Sequence, residues 1–281
     1  MIEIKTDVGE FTVEAFLKDD INKDAISIAM VTHLSPEMTR NAVASFKKFS
    51  EHPIEIYLVD NFSPPDVVEE LKKIEGINLI LNRGEFKSIL NGYPDSVLNG
   101  VGIDIASRFI KTRYMFTCHN DVLAYKKGWL TYLKSKLSDW VAGAAFGEDN
   151  SRIKALHISG CLIDLDLYEK NRRNWYPNWN SKKEMLWDVG DHYTKFLRDQ
   201  DFKYYVCGNT HNDPSILDRI SDDLIEKHQI HADKAISEEG DVLYLHLGRG
   251  ITKFAGIYNK PGRTTYKGWI DFGNELLNGE K

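Results

Sequence analysis

Apolar residues in the first half of the chain fall into short β-prone runs separated by stretches of helical spacing. Residues 26–31 (I-S-I-A-M-V), 54–59 (I-E-I-Y-L-V) and 77–81 (I-N-L-I-L) are three such runs. Each stops at polar residues: Thr32-His33, Asp60-Asn61-Phe62-Ser63 and Asn82-Arg83-Gly84. After the first run, Pro36-Glu37 opens a segment in which Met38, Ala42, Phe46 and Phe49 keep helical spacing. After the second, Pro64-Pro65-Asp66 opens another, through Leu71 and Ile74. Repeated strand, polar terminus and helix predict a mostly parallel sheet flanked by helices, with the polar strand ends on one edge. A helix over residues 96–108 follows, with Val97, Val101, Ile105 and Phe109 on its core face. Asn99, Gly100 and Gly102 in its early turns are small enough to let it pack closely on a ligand or on the sheet. Tyr114, Met115, Phe116 and Thr117 read as a buried central strand that breaks at His119, Asn120 and Asp121, and residues 129–137 as another amphipathic helix. Ahead of all this, Ile2, Ile4, Phe11, Val13 and Phe16 alternate weakly, which predicts an edge hairpin and linker over residues 1–24.

The second half is more broken. Residues 142–146 form a small-residue strand before Gly147-Glu148-Asp149, and residues 157–163 (H-I-S-G-C-L-I) form a further strand before Asp164. An aromatic loop carries Trp175, Tyr176, Pro177 and Trp179. Asp188 then sits where an N-cap belongs, with Asp191 three residues on as in a capping box, ahead of a helix with Val189, Tyr193, Phe196 and Leu197 on its apolar face. Residues 202–206 read as a strand, residues 216–239 as charged and helical, and residues 242–245 as a strand leading into His246. The expected organisation is a hairpin and linker over 1–24, one α/β domain over 25–215 with halves 25–137 and 138–215, and an extension over 216–281 packed on that domain.

Composition narrows the class. The 281 residues, 42% hydrophobic and 28% charged, suit a folded soluble domain. A net charge of -6 argues against a nucleic-acid backbone as partner. Cys118, Cys161 and Cys207 are too few and too widely spaced for a disulfide framework or a zinc signature, so a reducing cytoplasm is the expectation. No run approaches eighteen apolar residues, so neither a signal peptide nor a membrane span is expected.

Strand ends of an open α/β sheet face the ligand crevice, and the residues found there have matching chemistry. Asp121, flanked by an imidazole and an amide, suits one hard divalent cation carrying a phosphorylated substrate, or else a turn cap. Asp60 suits the imide N–H of a uracil or thymine and Thr32 a base or ribose, or both serve turns. Arg83 beside Gly84 suits a diphosphate, or solvent. Trp175 and Trp179 offer stacking faces to sugar rings if exposed, or line a long loop if buried.

Five segments in order, I-S-I-A-M-V-T-H, I-Y-L-V-D-N-F-S, L-N-R-G, L-N-G-V-G-I-D-I-A and Y-M-F-T-C-H-N-D-V, resemble the nucleotide-sugar half of family 2 glycosyltransferases of the GT-A fold. The resemblance implies transfer of a sugar from a nucleoside diphosphate donor, UDP or dTDP favoured, to a glycan or lipid-linked acceptor. It implies Thr32, His33, Asp60, Asn61, Arg83, Asn99, His119 and Asn120 as donor contacts. Asp121 looks like the last acid of the family's metal-binding D-x-D, with His119 replacing the first; a nitrogen ligand suits manganese or zinc better than magnesium. Trp187-Asp188 resembles the family's E-D pair, which makes Asp188 the general base and Asp191 its neighbour in the catalytic helix head, with Gly190 where many members carry a second acid. Trp187 joins Trp175 and Trp179 as an expected acceptor contact. His211 matches the spacing of the family's metal-contacting histidine and His246, in H-L-G-R-G-I-T, its local pattern. The implied cofactor is a divalent ion, Mn2+ or Mg2+. A non-catalytic glycan- or nucleotide-binding module and a sugar nucleotidyltransferase are the alternatives.

Overall fold

The structure is a computed structural model, and it describes residues 1–6, 8–83, 96–138, 141–146, 153–169, 175–179, 185–210, 213, 215, 222–248 and 264–279. The hairpin β1 (Ile2–Thr6) and β2 (Gly9–Phe16) precedes β3 (Ile26–Thr32), α1 (Pro36–Phe49), β4 (Ile54–Asn61), α2 (Pro65–Lys72) and β5 (Asn78–Asn82). Helix α3 (Ser96–Phe109) leads into β6 (Tyr114–His119), β7 (Val122–Ala124), α4 (Trp129–Ser135) and β8 (Val141–Phe146). A short 3-10 turn (Ile158–Gly160) is followed by β9 (Cys161–Asp164), α5 (Leu165–Glu169), the ribbon β10 (Asn178–Trp179) and β11 (Met185–Trp187), then α6 (Asp191–Asp199) and β12 (Lys203–Asn209). The described chain closes with α7 (Asp223–Lys227), β13 (Asp233–Ile236), β14 (Val242–His246) and α8 (Tyr266–Asn278).

Strand β3 is buried at every position because it lies inside the sheet with helices on both faces, which is why its sequence is an unbroken apolar run. Ile26, Ile28 and Met30 join one core with Phe46 and Phe49 of α1, while Ala29 and Val31 join the other with Val101 and Ile105 of α3. Gly102 is what lets α3 lie so close: a Cβ there would meet the Val31 methyls at 2.7 Å.

The sheet is mixed, which corrects the expectation of a mostly parallel one. Its order is β1-β2-β5-β4-β3-β6-β9-β8-β12-β13-β14-β7. Among the described residues only β5-β4-β3-β6 and β8-β12 pair in parallel. The parallel reading came from the helical crossovers of the first half. In the second half, short connections such as the one from β13 to β14 turn the chain straight back, so the pairing is antiparallel. The N-terminal hairpin joins the same sheet, β2 pairing antiparallel with β5.

Three local expectations also change. Residues 158–160 form a 3-10 turn before the expected strand, and the charged stretch after residue 216 contributes α7 and then β13. The helix expected to be capped by Asp188 starts at Asp191, with Gly190 at its N-cap in the left-handed region, φ 80°. None of the helices among the described residues is long and apolar enough to cross a membrane.

Candidate active site

The parallel strands β3, β4 and β6 end together, with Thr32 opposite Asp60 and Val31 opposite His119. Side chains at these ends knit to one another. Asn120 donates its amide to Thr32 Oγ1 (3.0 Å) and Thr39 Oγ1 (3.2 Å), and its backbone N–H to the Val31 carbonyl (3.2 Å). Asn61 donates to the Leu98 carbonyl at the head of α3 (2.9 Å) and accepts from Asn82 (3.1 Å). The His33 ring lies 2.6 Å from the Asn61 carbonyl.

Two residues after Asn120, β7 begins, and β14 runs antiparallel to it with Val122 opposite His246. That register carries His246 back to Asp121, whose carbonyl accepts the Leu247 N–H (3.1 Å). His246 Nε2 stands 3.6 Å from Asp121 Oδ1. With His119 they form a cluster whose ligand atoms all lie within 4.8 Å of one another. Ligands about 2.1 Å from a shared ion sit at most about 4.2 Å apart, so the cluster would need a contraction below about 1 Å to hold a cation. Of its donors, the two imidazoles suit an ion such as zinc and the carboxylate one such as manganese or magnesium. The neighbouring Cys118 thiol is pushed far above its ordinary range by burial, and secondarily by Asp121, which keeps it protonated.

Facing the strand ends is the head of α6. The Asp188 N–H donates to Asp191 Oδ2 (2.7 Å), Asp188 Oδ1 accepts from Val189 N–H (2.7 Å), and Gly190 N–H donates to the Trp175 carbonyl (3.2 Å). One bond of the expected capping box is thus present, carried by the Asp191 carboxylate. Asp191 is buried and Asp188 half-buried. A cavity of about 470 Å³ separates the helix head from the strand ends, and Thr32, His33, Asn61, Asn99, His119, Asn120, Asp188, Asp191 and His246 all line it.

The remaining candidates lie elsewhere. Asp60 is buried and accepts from Ser63 through its N–H (3.1 Å) and Oγ (2.5 Å). Burial, the largest influence, raises its pKa against those hydrogen bonds. Arg83 extends over β2 to Glu14 (3.3 Å). Trp175 is fully buried, its ring packed edge-on against Tyr168 (5.1 Å), so the exposed stacking face expected of it is absent: the loop turns inward onto α5 and α6. Gly100 permits this, since a Cβ there would meet the Trp175 carbonyl at 2.8 Å. Trp187 is half-buried and stacks on His192 (5.1 Å). His211 and the Trp179 side chain lie outside the described residues.

Sequence reasoning missed His157 and Ser159, which also line the cavity. The His157 ring is 5.0 Å from that of His246, and Ser159 Oγ is 2.7 Å from His119 Nδ1. Their only signal was the polar H-x-S within an otherwise apolar run.

No protein-family model matches the chain, and no curated protein matches it. The chain is similar in structure to the mannosyltransferase PcManGT from Pyrobaculum calidifontis in complex with GDP-Man and Mn2+, at 10% identity and TM-score 0.49, over 66% of this chain and 55% of that one. It is similar to S. aureus TarS 1-349 in complex with UDP-GlcNAc, at 14% identity and TM-score 0.42, over 57% of this chain and 50% of that one. It is also similar to the glycosyltransferase GlyE in Streptococcus pneumoniae TIGR4, at 13% identity and TM-score 0.44, over 90% of this chain and 62% of that one. The chain thus spans less than two thirds of each of these structures.

Proposed function

We propose that the protein is a GT-A-type glycosyltransferase that moves a sugar from a nucleoside diphosphate donor, UDP or dTDP favoured, to a hydroxyl of a glycan or lipid-linked acceptor with inversion. The observation that carries this reading is that His119 and His246, which cluster with Asp121, line one cavity together with Asp188 and Asp191. The five ordered sequence segments quoted above support it independently.

In this reading Thr32, His33, Asn61 and Asn99 hold the nucleoside half of the donor. Asp60 acts through the turn it fixes: it holds Ser63, whose Oγ accepts the Leu34 N–H (2.9 Å) and so anchors the loop carrying His33. A divalent ion on His119, Asp121 and His246 would neutralise charge on the departing diphosphate. Asp188 takes the proton of the acceptor hydroxyl as that oxygen attacks the anomeric carbon from the face opposite the leaving group. Asp191 holds the backbone of Asp188 and so aims it. The arrangement suits this division, because Asp188, His119 and His246 line one cavity from three different segments of the chain.

The test is donor-dependent release of nucleoside diphosphate from a panel of nucleotide sugars with Mn2+, alongside calorimetric titration of UDP with and without Mn2+. Release from one donor, and UDP binding that requires Mn2+, are expected. Equal UDP affinity in both conditions would remove the metal role, and release from none of the panel would remove the transferase.

A further inference from the structure

Ser159 touches both histidines that flank His246, and it touches them with opposite chemistry. Its backbone N–H donates to His157 Nδ1 (3.2 Å), so that nitrogen carries no proton and neutral His157 bears its hydrogen on Nε2. Its Oγ lies 2.7 Å from His119 Nδ1 and 3.5 Å from Nε2. Ser159 is fully buried in the 3-10 turn, and that turn is held where the Gly160 carbonyl accepts from the Tyr244 hydroxyl (2.7 Å).

We infer that Ser159 is a positioning residue that sets two cavity histidines in complementary tautomers. His119 donates Nδ1–H to Ser159 Oγ and turns its Nε2 lone pair to a cation, while His157 presents Nε2–H to an oxygen of the anion that this cation carries. The inference rests on the metal reading above, but its tautomer half holds in the metal-free protein. A histidine that ligates a metal through one nitrogen needs the other held by a partner, and loss of such a partner typically weakens affinity about 10- to 100-fold. The same short turn thereby offers an acceptor for a cation and, one histidine away, a donor for a phosphate oxygen. His157 is in this account a further ligand-binding residue.

Long-range proton–nitrogen NMR of histidine-labelled, metal-free protein, at a pH where the imidazoles are neutral, reads both tautomers directly. Nδ1–H at His119 and Nε2–H at His157 are expected. The reverse assignment at either ring overturns the inference, and this measurement on the native chain needs no variant to fold. Ser159→Ala deletes Oγ and keeps the backbone N–H. It is expected to release His119 from its single tautomer, leave His157 unchanged and weaken Mn2+ about 10-fold or more. Equal change at both rings, or none at His119, refutes the role of Ser159. His157→Asn keeps an acceptor for the Ser159 N–H and removes the Nε2 donor. Mn2+ alone should bind it as it binds the native protein, while Mn2+ with inorganic pyrophosphate binds about 10-fold more weakly. Unchanged pyrophosphate affinity overturns the part assigned to His157. A native chain with the expected tautomers and no affinity for Mn2+ would overturn the metal reading and leave the tautomer assignment standing.

Discussion

At the scale of single residues, the two carboxylates at the head of α6 divide a task that sequence spacing alone left joined. Both line the cavity, but Asp191 is buried and spends an oxygen on the Asp188 N–H, whereas Asp188 is half-buried and spends one on its neighbour Val189. Asp188→Asn keeps an acceptor for Val189 and removes the proton acceptor. Turnover is expected to fall about 100-fold or more with donor KM nearly unchanged, measured as nucleoside diphosphate release. Asp191→Asn keeps the bond to the Asp188 N–H and is expected to cost less than about 10-fold in the same assay. The opposite ranking would move the base one helical turn.

At the scale of elements, close approach is set by glycines and by one buried amine. Gly190 is in the left-handed region, φ 80°, and a Cβ on it would meet Ile158 at 2.7 Å, at the turn that carries Ser159. Gly190→Ala is expected to lower stability by about 1–3 kcal/mol in denaturant melts, from clash and strain together. Gly240, φ 90°, has nothing within 4 Å of its absent Cβ, so Gly240→Ala should register strain alone and lose less. Lys234 of β13 is buried and donates to the Ile230 and Ala232 carbonyls (3.3 Å each). Burial is the main reason its pKa falls below the ordinary 10.5, against the opposing attraction of Asp233. The unfolded chain then holds this proton more tightly than the native one, so the penalty is fully present below the native pKa and is relieved as pH rises through 10.5. The native protein should gain stability relative to Lys234→Met over that alkaline window in paired chemical melts; a constant difference would contradict it.

At the scale of the whole molecule, the candidate metal cluster joins β6 to β14 across the sheet, and residues 119 and 121 lie far in sequence from 246. A cation there would act as a cross-link that exists only in the folded state. Mn2+ at about 100 times its dissociation constant is expected to add about 2.7 kcal/mol, or about 5 to 10 °C in melting temperature, reversed by a chelator. His246→Ala should abolish the shift in differential scanning fluorimetry while leaving the metal-free melting temperature within a few degrees.

What the sequence determined by itself is the half of the fold built from local pattern. The apolar runs at 26–31, 54–59 and 114–117 became β3, β4 and β6, and Met38, Ala42, Phe46 and Phe49 became the buried face of α1, because burial on both sheet faces leaves an uninterrupted signature. Their polar ends marked one part of the cavity wall, Thr32, His33, Asn61, His119 and Asn120, for the same reason: a strand that ends beside a crevice exchanges apolar for polar side chains at one point in the chain. Only the tertiary structure decided the rest. Antiparallel pairing of β9, β13, β14 and β7 follows from which strands meet, and residue order does not state that. The inward turn of Trp175 depends on Gly100 opposite it, the partnership of His246 with Asp121 on the register of β14 against β7, and the place of Ser159 between two histidines on a 3-10 turn. Each is a contact between segments distant along the chain, and a one-dimensional pattern records the apolarity of a position but not its neighbour across the fold.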